Sequence, residues 1–177
     1  WQQHRTVWFQ SLGRTELSKF CAEHEGDKII SRLLWEFVYS RRDGRLLPNS
    51  WNEWEPFARR HGLSAVKLSK WCASFLEQEL PILSLHELKS QIASDGTHKI
   101  LWKVDPKVPD RPGAESIESV LIPRGERLTL CISSQVGCAM ACSFCLTGKQ
   151  GLTRHLSPAE VIAQVTTLSQ RFAITNI

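Results

Sequence analysis

Near residue 84 the hydrophobic pattern of this chain changes its period, and that single change restricts the fold more than any other feature. Before it, apolar residues recur at helical spacing. "DKIISRLLWEFVYSRR" places Ile29, Ile30, Leu33, Leu34, Phe37 and Val38 on one broad stripe, and "TELSKFCAEH" precedes it as a further helix. "RDGRLLPNS" interrupts as a loop, and "WNEWEPFARRHGL" and "SAVKLSKWCASFLEQEL" then read as two short helices with Gly62 as a C-cap between them. Six of the seven tryptophans (Trp1, Trp8, Trp35, Trp51, Trp54 and Trp71) fall in this part, where they are expected to fill a small helical core rather than to stack on bases. After residue 84 alternation takes over. "LSLHELKSQIAS" and "GTHKILWKVD" form a hairpin about Asp95-Gly96, "PKVPDRPGAES" an exposed loop, and "IESVLIP" and "RLTLCISS" two more strands joined by "RGE".

The stretch "QVGCAMACSFCLTGKQGLTRH" has no period and is expected to be a long irregular loop, which inside a folded domain usually carries function. A helix follows with a full start signal in "SPAEVIAQVTTLSQRF": Ser157 as N-cap, Pro158 at the first position and Glu160 closing a capping box. "FAITNI" reads as a strand just beginning. Strand, cysteine loop, helix and strand in that order form a βα unit heading for a parallel sheet, so the fold class is α+β. With 42% hydrophobic and 23% charged residues, the 177 residues suffice for one ordinary domain or two small ones. No run of 18 apolar residues and no signal-peptide pattern is present, so the expected compartment is the cytoplasm. The chain starts at Trp1 and its one methionine is Met140, so both ends read as cut from a longer protein.

The formal net charge of +4 says little about partners. From residue 127 onward, however, Arg127, Lys149, Arg154 and Arg171 stand against the single acid Glu160, a balance that favours an anionic partner.

Three cysteines occur within eight residues, "CAMACSFC", as C-x3-C-x2-C. Disulfides fit poorly in a chain without a secretion signal. Zinc wants four ligands, commonly in two C-x2-C pairs; only Cys142 and Cys145 make such a pair, so Cys131 or His155 would have to complete a set with Cys138. A [4Fe–4S] cluster held by three thiolates fits better and leaves one iron open. "TGKQG" departs from a phosphate loop at Ser143 and Gln150, and no two histidines stand at i, i+4. Cys21 and Cys72 sit in apolar helical patterns and read as packing.

C-x3-C-x2-C with Phe144 before the third cysteine resembles the signature of the radical S-adenosylmethionine enzymes. Its flanks resemble one family among them: "SSQVGC", "TGKQG" and "LSPAEVIAQV", with "SDGTHKILWKV" and "IESVLIP" upstream, are similar to the bacterial adenine-C2 RNA methyltransferases of the RlmN type, whose close relatives are the Cfr-type C8 methyltransferases. The resemblance covers about residues 84 to 177, and residues 1 to 80 resemble the family's small helical accessory domain only in kind. It implies a helical accessory domain over 1–83, a β-hairpin lead-in over 84–126, and over 127–177 the start of a truncated partial (β/α) barrel with the cluster loop. It implies Cys138, Cys142 and Cys145 as ligands of a [4Fe–4S] cluster that binds S-adenosylmethionine. Cys131 matches a cysteine that resolves a covalent protein–RNA intermediate as a disulfide bond, and Glu118 matches the proton acceptor. The bland alternatives are a buried strand residue for Cys131 and a solvent-facing one for Glu118. The implied partners are 23S rRNA and tRNA, with no DNA, no membrane and a monomeric protein. The family's Gly-Met-Gly-Glu-Pro motif and its methyl-carrying cysteine do not occur in these 177 residues, so the chain by itself is expected to be inactive. A non-catalytic zinc- or RNA-binding module is the competing reading.

Overall fold

The computed structural model describes residues 8–39, 50–104 and 115–177. The loops expected around "RDGRLLPNS" and "PKVPDRPGAES", and Trp1, lie wholly or largely outside the described residues. The chain divides into two compact units, Trp1–Leu83 with Ser169–Arg171, and Ser84–Leu168 with Phe172–Ile177.

The first unit is helical: a 3-10 turn at Phe9–Ser11, then α1 (Arg14–Glu23), α2 (Lys28–Tyr39), α3 (Trp54–Arg60), α4 (Ala65–Lys70) and α5 (Ala73–Glu79). The stripe of α2 faces inward at Ile30, Leu33, Leu34, Phe37 and Val38, but Ile29 is 49% exposed and lies off it. Asp27 starts this helix by accepting hydrogen bonds from the backbone N–H groups of Ile29 and Ile30, both at 3.0 Å. Trp51, Trp54 and Trp71 are fully buried, and Trp51 and Trp54 satisfy their indole N–H groups on backbone carbonyls of Leu80 and Trp71 at 2.9 and 2.6 Å. The helix expected over "SAVKLSKWCASFLEQEL" is two helices. Cys72 is extended (φ −77°, ψ 166°) and starts α5, while the carbonyl of Trp71, the residue after α4, is turned to the Trp54 indole. Cys72 is accordingly half-exposed beside the Ser74 hydroxyl at 3.1 Å and is not core, whereas Cys21 is buried. Gly62 has φ +84°, the left-handed cap that a side chain would resist.

The second unit is built on an antiparallel sheet in the order β1-β2-β3-β4, from β1 (His86–Ile92), β2 (His98–Lys103), β3 (Ser116–Arg124) and β4 (Arg127–Cys131). Alternation gives this sheet two unlike faces. Ile100, Trp102, Ile117, Leu121 and Leu130 form the buried one, together with Ala159 and Ala163 of α7 (Pro158–Ser169). After α7 the chain returns to β4 in parallel: Thr129 bridges Asn176, the Leu130 N–H donates to the Asn176 carbonyl, and the Thr175 N–H donates to the Leu128 carbonyl, both at 2.9 Å. The strand read in "ITNI" therefore opens a parallel register next to β4. The architecture is mixed α and β, and among the described residues no helix is long and apolar enough to cross a membrane.

Candidate functional site: the cysteine loop and its anchors

Between β4 and α7 the stretch without a period is not irregular throughout. β5 (Gln135–Gly137) pairs in antiparallel fashion with β6 (Leu152–His155), and the four-residue helix α6 (Leu146–Lys149) lies between them. Sequence reading missed these elements because each is three or four residues long, too short for a period to show. Two glycines explain how so short a ribbon closes. Gly137 has φ +74°, and a Cβ there would fall 1.9 Å from the Gly151 carbonyl oxygen, which accepts the Cys138 N–H at 3.0 Å. A Cβ on Gly148 would stand 3.0 Å from the Cys142 nitrogen, so α6 packs directly on the backbone that carries the cysteines.

On this frame Cys138, Cys142 and Cys145 are half-buried, and all three are free thiols. The Met140 N–H donates to the Cys138 sulfur at 3.4 Å, and the Cys145 N–H donates to the Cys142 carbonyl at 3.1 Å. The chemistry of the donor set fits an iron–sulfur cluster: three unpaired thiols on one anchored loop, with a backbone donor already aimed at a sulfur. The sulfurs are not gathered as folded, for among the described residues no group of three or more His, Cys, Asp or Glu side chains is placed to hold a metal ion. Nor is the zinc set of Cys131 or His155 with the loop cysteines assembled; His155 instead lies 3.3 Å from the Gln135 amide. Around the loop, Met140, Phe144 and Leu146 are 78%, 90% and 75% exposed.

Glu118 and Cys131 come from β3 and β4. Val120 pairs directly with Cys131, so Glu118, two residues away on the same face, stands diagonal to Cys131, roughly 7–8 Å off by the geometry of antiparallel pairs. Both are exposed, which removes the packing role for Cys131. The Glu118 carboxylate pairs with Lys99 at 3.1 Å, and its backbone carbonyl accepts the Ser133 hydroxyl at 2.7 Å.

Two residues that tie α7 to its surroundings have a weight the sequence did not reveal. Arg154 of β6 forks onto Glu160, with Nη1 and Nη2 at 2.9 and 2.7 Å from its two oxygens, and reaches Glu115 through Nε at 2.8 Å. Hydrogen bonding to Glu160, against the cost of burial, holds the guanidinium well above its ordinary value. Burial alone would raise the Glu160 carboxyl, but the bonds from Arg154 and Ser157 outweigh it and hold the acid below the usual carboxylate range. Arg154 is thus committed inside the protein. Of the basic rim expected from Arg127, Lys149, Arg154 and Arg171, Arg154 is therefore engaged with carboxylates of the protein itself, and Arg171 falls in the other unit. The second residue is Gln164, fully buried: it accepts from Ser119 Oγ and from the Ser133 N–H and donates to the Ser133 carbonyl, all at 2.9 Å.

No family model matches the chain. It is 46% identical over 110 residues to a dual-specificity RNA methyltransferase RlmN from Geobacter sulfurreducens, a match covering 62% of this chain and 29% of that protein. It is 46% identical over 99 residues to a probable dual-specificity RNA methyltransferase RlmN from Synechococcus (55% and 27%), and 46% over 98 residues to an RlmN from Marinomonas (55% and 25%). The match thus spans less than a third of these relatives' length. Among solved structures, a radical SAM methyltransferase from Sphaerobacter thermophilus superposes with a TM-score of 0.68 and 28% identity, over 93% of this chain and 42% of that one. The fold is thus similar to that of a radical SAM methyltransferase, and the cysteine loop is compatible with that class. Within that class the sequence likenesses support the RlmN type, whose members the chain matches over less than a third of their length.

Proposed function

We propose that this chain carries the cluster loop and part of the catalytic apparatus of an enzyme that methylates C2 of an adenine in 23S rRNA and in tRNA. The observation that carries the proposal is the C-x3-C-x2-C loop, anchored by the β5–β6 pair, on a chain so similar to RNA methyltransferases named RlmN. Cys138, Cys142 and Cys145 would hold a [4Fe–4S] cluster, and binding it would draw the three sulfurs together. When bound, the cluster with S-adenosylmethionine supplies the radical chemistry that activates an unreactive aromatic carbon. The protein's own residues do the rest. Glu118, exposed and within reach of a solvent-side substrate, would take the proton that leaves the base, its carboxylate standing 3.1 Å from the Lys99 ammonium. Cys131, exposed on the same face, would supply the thiolate that attacks the sulfur of the family's methyl-carrying cysteine, which these residues do not contain. The S–S bond forms as the C–S bond to the base breaks, and the electron pair stays on the product carbon, which takes up a proton.

Anaerobic reconstitution with iron and sulfide tests the reading. Wild-type protein should take up both and gain thiolate-to-iron absorption in the visible. Cys138→Ala, Cys142→Ala and Cys145→Ala should each lose both, while Cys131→Ala and Glu118→Gln should load normally. Full iron and sulfide content in any of the three ligand variants sinks the assignment. Zinc retention by wild type with loss in Cys131→Ala would move it to the non-catalytic reading.

A further inference from the structure

Among the described residues, the outer face of the β1–β4 sheet carries an excess of basic side chains. Strand register places Lys89, Lys99, Lys103, Arg124 and Arg127 on it, with Glu118 as the acid among them. Among the described residues the other acids nearby in sequence lie off this face: Glu87 is on the other side of β1, Asp95 and Glu126 are in hairpin turns, and Glu115 is committed to Arg154. Lys99 is paired with Glu118, whereas no carboxylate among the described residues pairs with Lys89, Arg124 or Arg127. Arg124 and Arg127 are directly opposite each other across the β3–β4 ladder. Like charges so placed destabilise a hairpin, and an anion lying between them reverses the sign. A local rule broken at an exposed position is where function is expected.

We propose that this face is where the backbone of the RNA lies, its phosphates held by Lys89, Arg124 and Arg127 while the target base is presented to Glu118 and Cys131. The proposal rests on the RNA methyltransferase reading above and deepens it by placing the substrate. Dimensions agree: the paired length of β3 from Ser116 to Arg124 is on the order of 27 Å at ~3.4 Å per residue, and four strands span about 14 Å. That is room for several phosphates, and Glu118 and Cys131 stand between the lysines of β1 and β2 and the arginine pair. Phosphate contacts fix register and leave recognition of the base to the groups near it.

The test is a salt titration of binding to an unmodified tRNA transcript. The triple variant Lys89→Ala, Arg124→Ala, Arg127→Ala should bind on the order of tenfold or more weakly, and its slope of log affinity against log salt should fall by about two to three, one counterion release per lost contact. The charge-keeping variant Lys89→Arg, Arg124→Lys, Arg127→Lys should retain most of the wild-type affinity, which separates lost charge from lost folding. A control removing the same charge from exposed positions of the helical unit, Lys19→Ala, Lys28→Ala, Arg59→Ala, should leave the slope near wild type. An unchanged slope in the sheet-face triple, or an equal drop in the control, overturns the proposal. Iron and sulfide loading of wild type, measured alongside, tells the two failures apart: a protein that loads the cluster yet ignores the sheet-face changes loses only the RNA face, and one that cannot load loses the underlying reading.

Discussion

At the scale of single residues, the least conspicuous side chain in the sequence does the most to hold the loop. Gln164 ties Ser133, two residues beyond Cys131, to Ser119 on β3, and Ser119 in turn accepts the Trp102 indole N–H at 2.9 Å. The entrance to the cysteine loop is thereby fixed to the sheet that carries Glu118 and Cys131. Both Gln164 and Ser119 are fully buried, so removing the amide leaves the Ser119 hydroxyl without an acceptor away from water and takes the partner from the N–H and C=O of half-buried Ser133. Gln164→Ala should therefore destabilise the protein by about 3 kcal/mol in a urea titration, well beyond a surface substitution. A loss within about 0.5 kcal/mol would mean that Gln164 is not what fixes this entrance.

At the scale of elements, the start of α7 was readable and its partner was not. Ser157 and Glu160 make the capping box: the Ser157 N–H donates to Glu160 at 2.7 Å and the Glu160 N–H donates back to the Ser157 hydroxyl at 3.3 Å. What the linear pattern does not carry is that Arg154 arrives from β6 to complete the same carboxylate, since that contact depends on the β5–β6 pairing. Because the native Glu160 titrates below its ordinary value, its contribution is fully present above about pH 4.5 and is lost as pH falls through the lower native value. Glu160→Gln should lower stability at neutral pH and flatten the fall of stability below about pH 4.5, read from denaturation midpoints across pH. An acid limb as steep as wild type would detach Glu160 from acid unfolding. The same contrast governs legibility elsewhere. The hairpin at Asp95-Gly96 and the inward stripe of α2 announced themselves because many residues repeat one pattern. The cysteine ribbon stayed hidden because two glycines and one long-range strand pair make it. Ile29 was misplaced by a rule about periods that cannot see where a helix's buried face ends.

At the scale of the whole molecule, the change of period near residue 84 coincides with the boundary between the two units, and each unit has an apolar interior of its own. The helical interior is dominated by aromatics: Phe37 stacks on Trp51 at 5.5 Å, and Trp54 meets Phe37 and Trp51 edge-on at 5.6 and 6.1 Å. The other interior is formed by sheet residues such as Ile100, Trp102 and Leu130 with α7, and by the Gln164 bonds. Separate interiors imply separate opening reactions. Trp54→Ala deletes a fully buried indole and its bond to the Trp71 carbonyl, a loss of about 3–5 kcal/mol for the unit that contains it. Amide hydrogen exchange should then show α2, α3 and α5 losing protection by orders of magnitude, while the amides of β2, β3 and β4 keep the wild-type rates. Equal loss in the strands would show one cooperative body, in which case a defect in the tryptophan core would also loosen the cysteine loop.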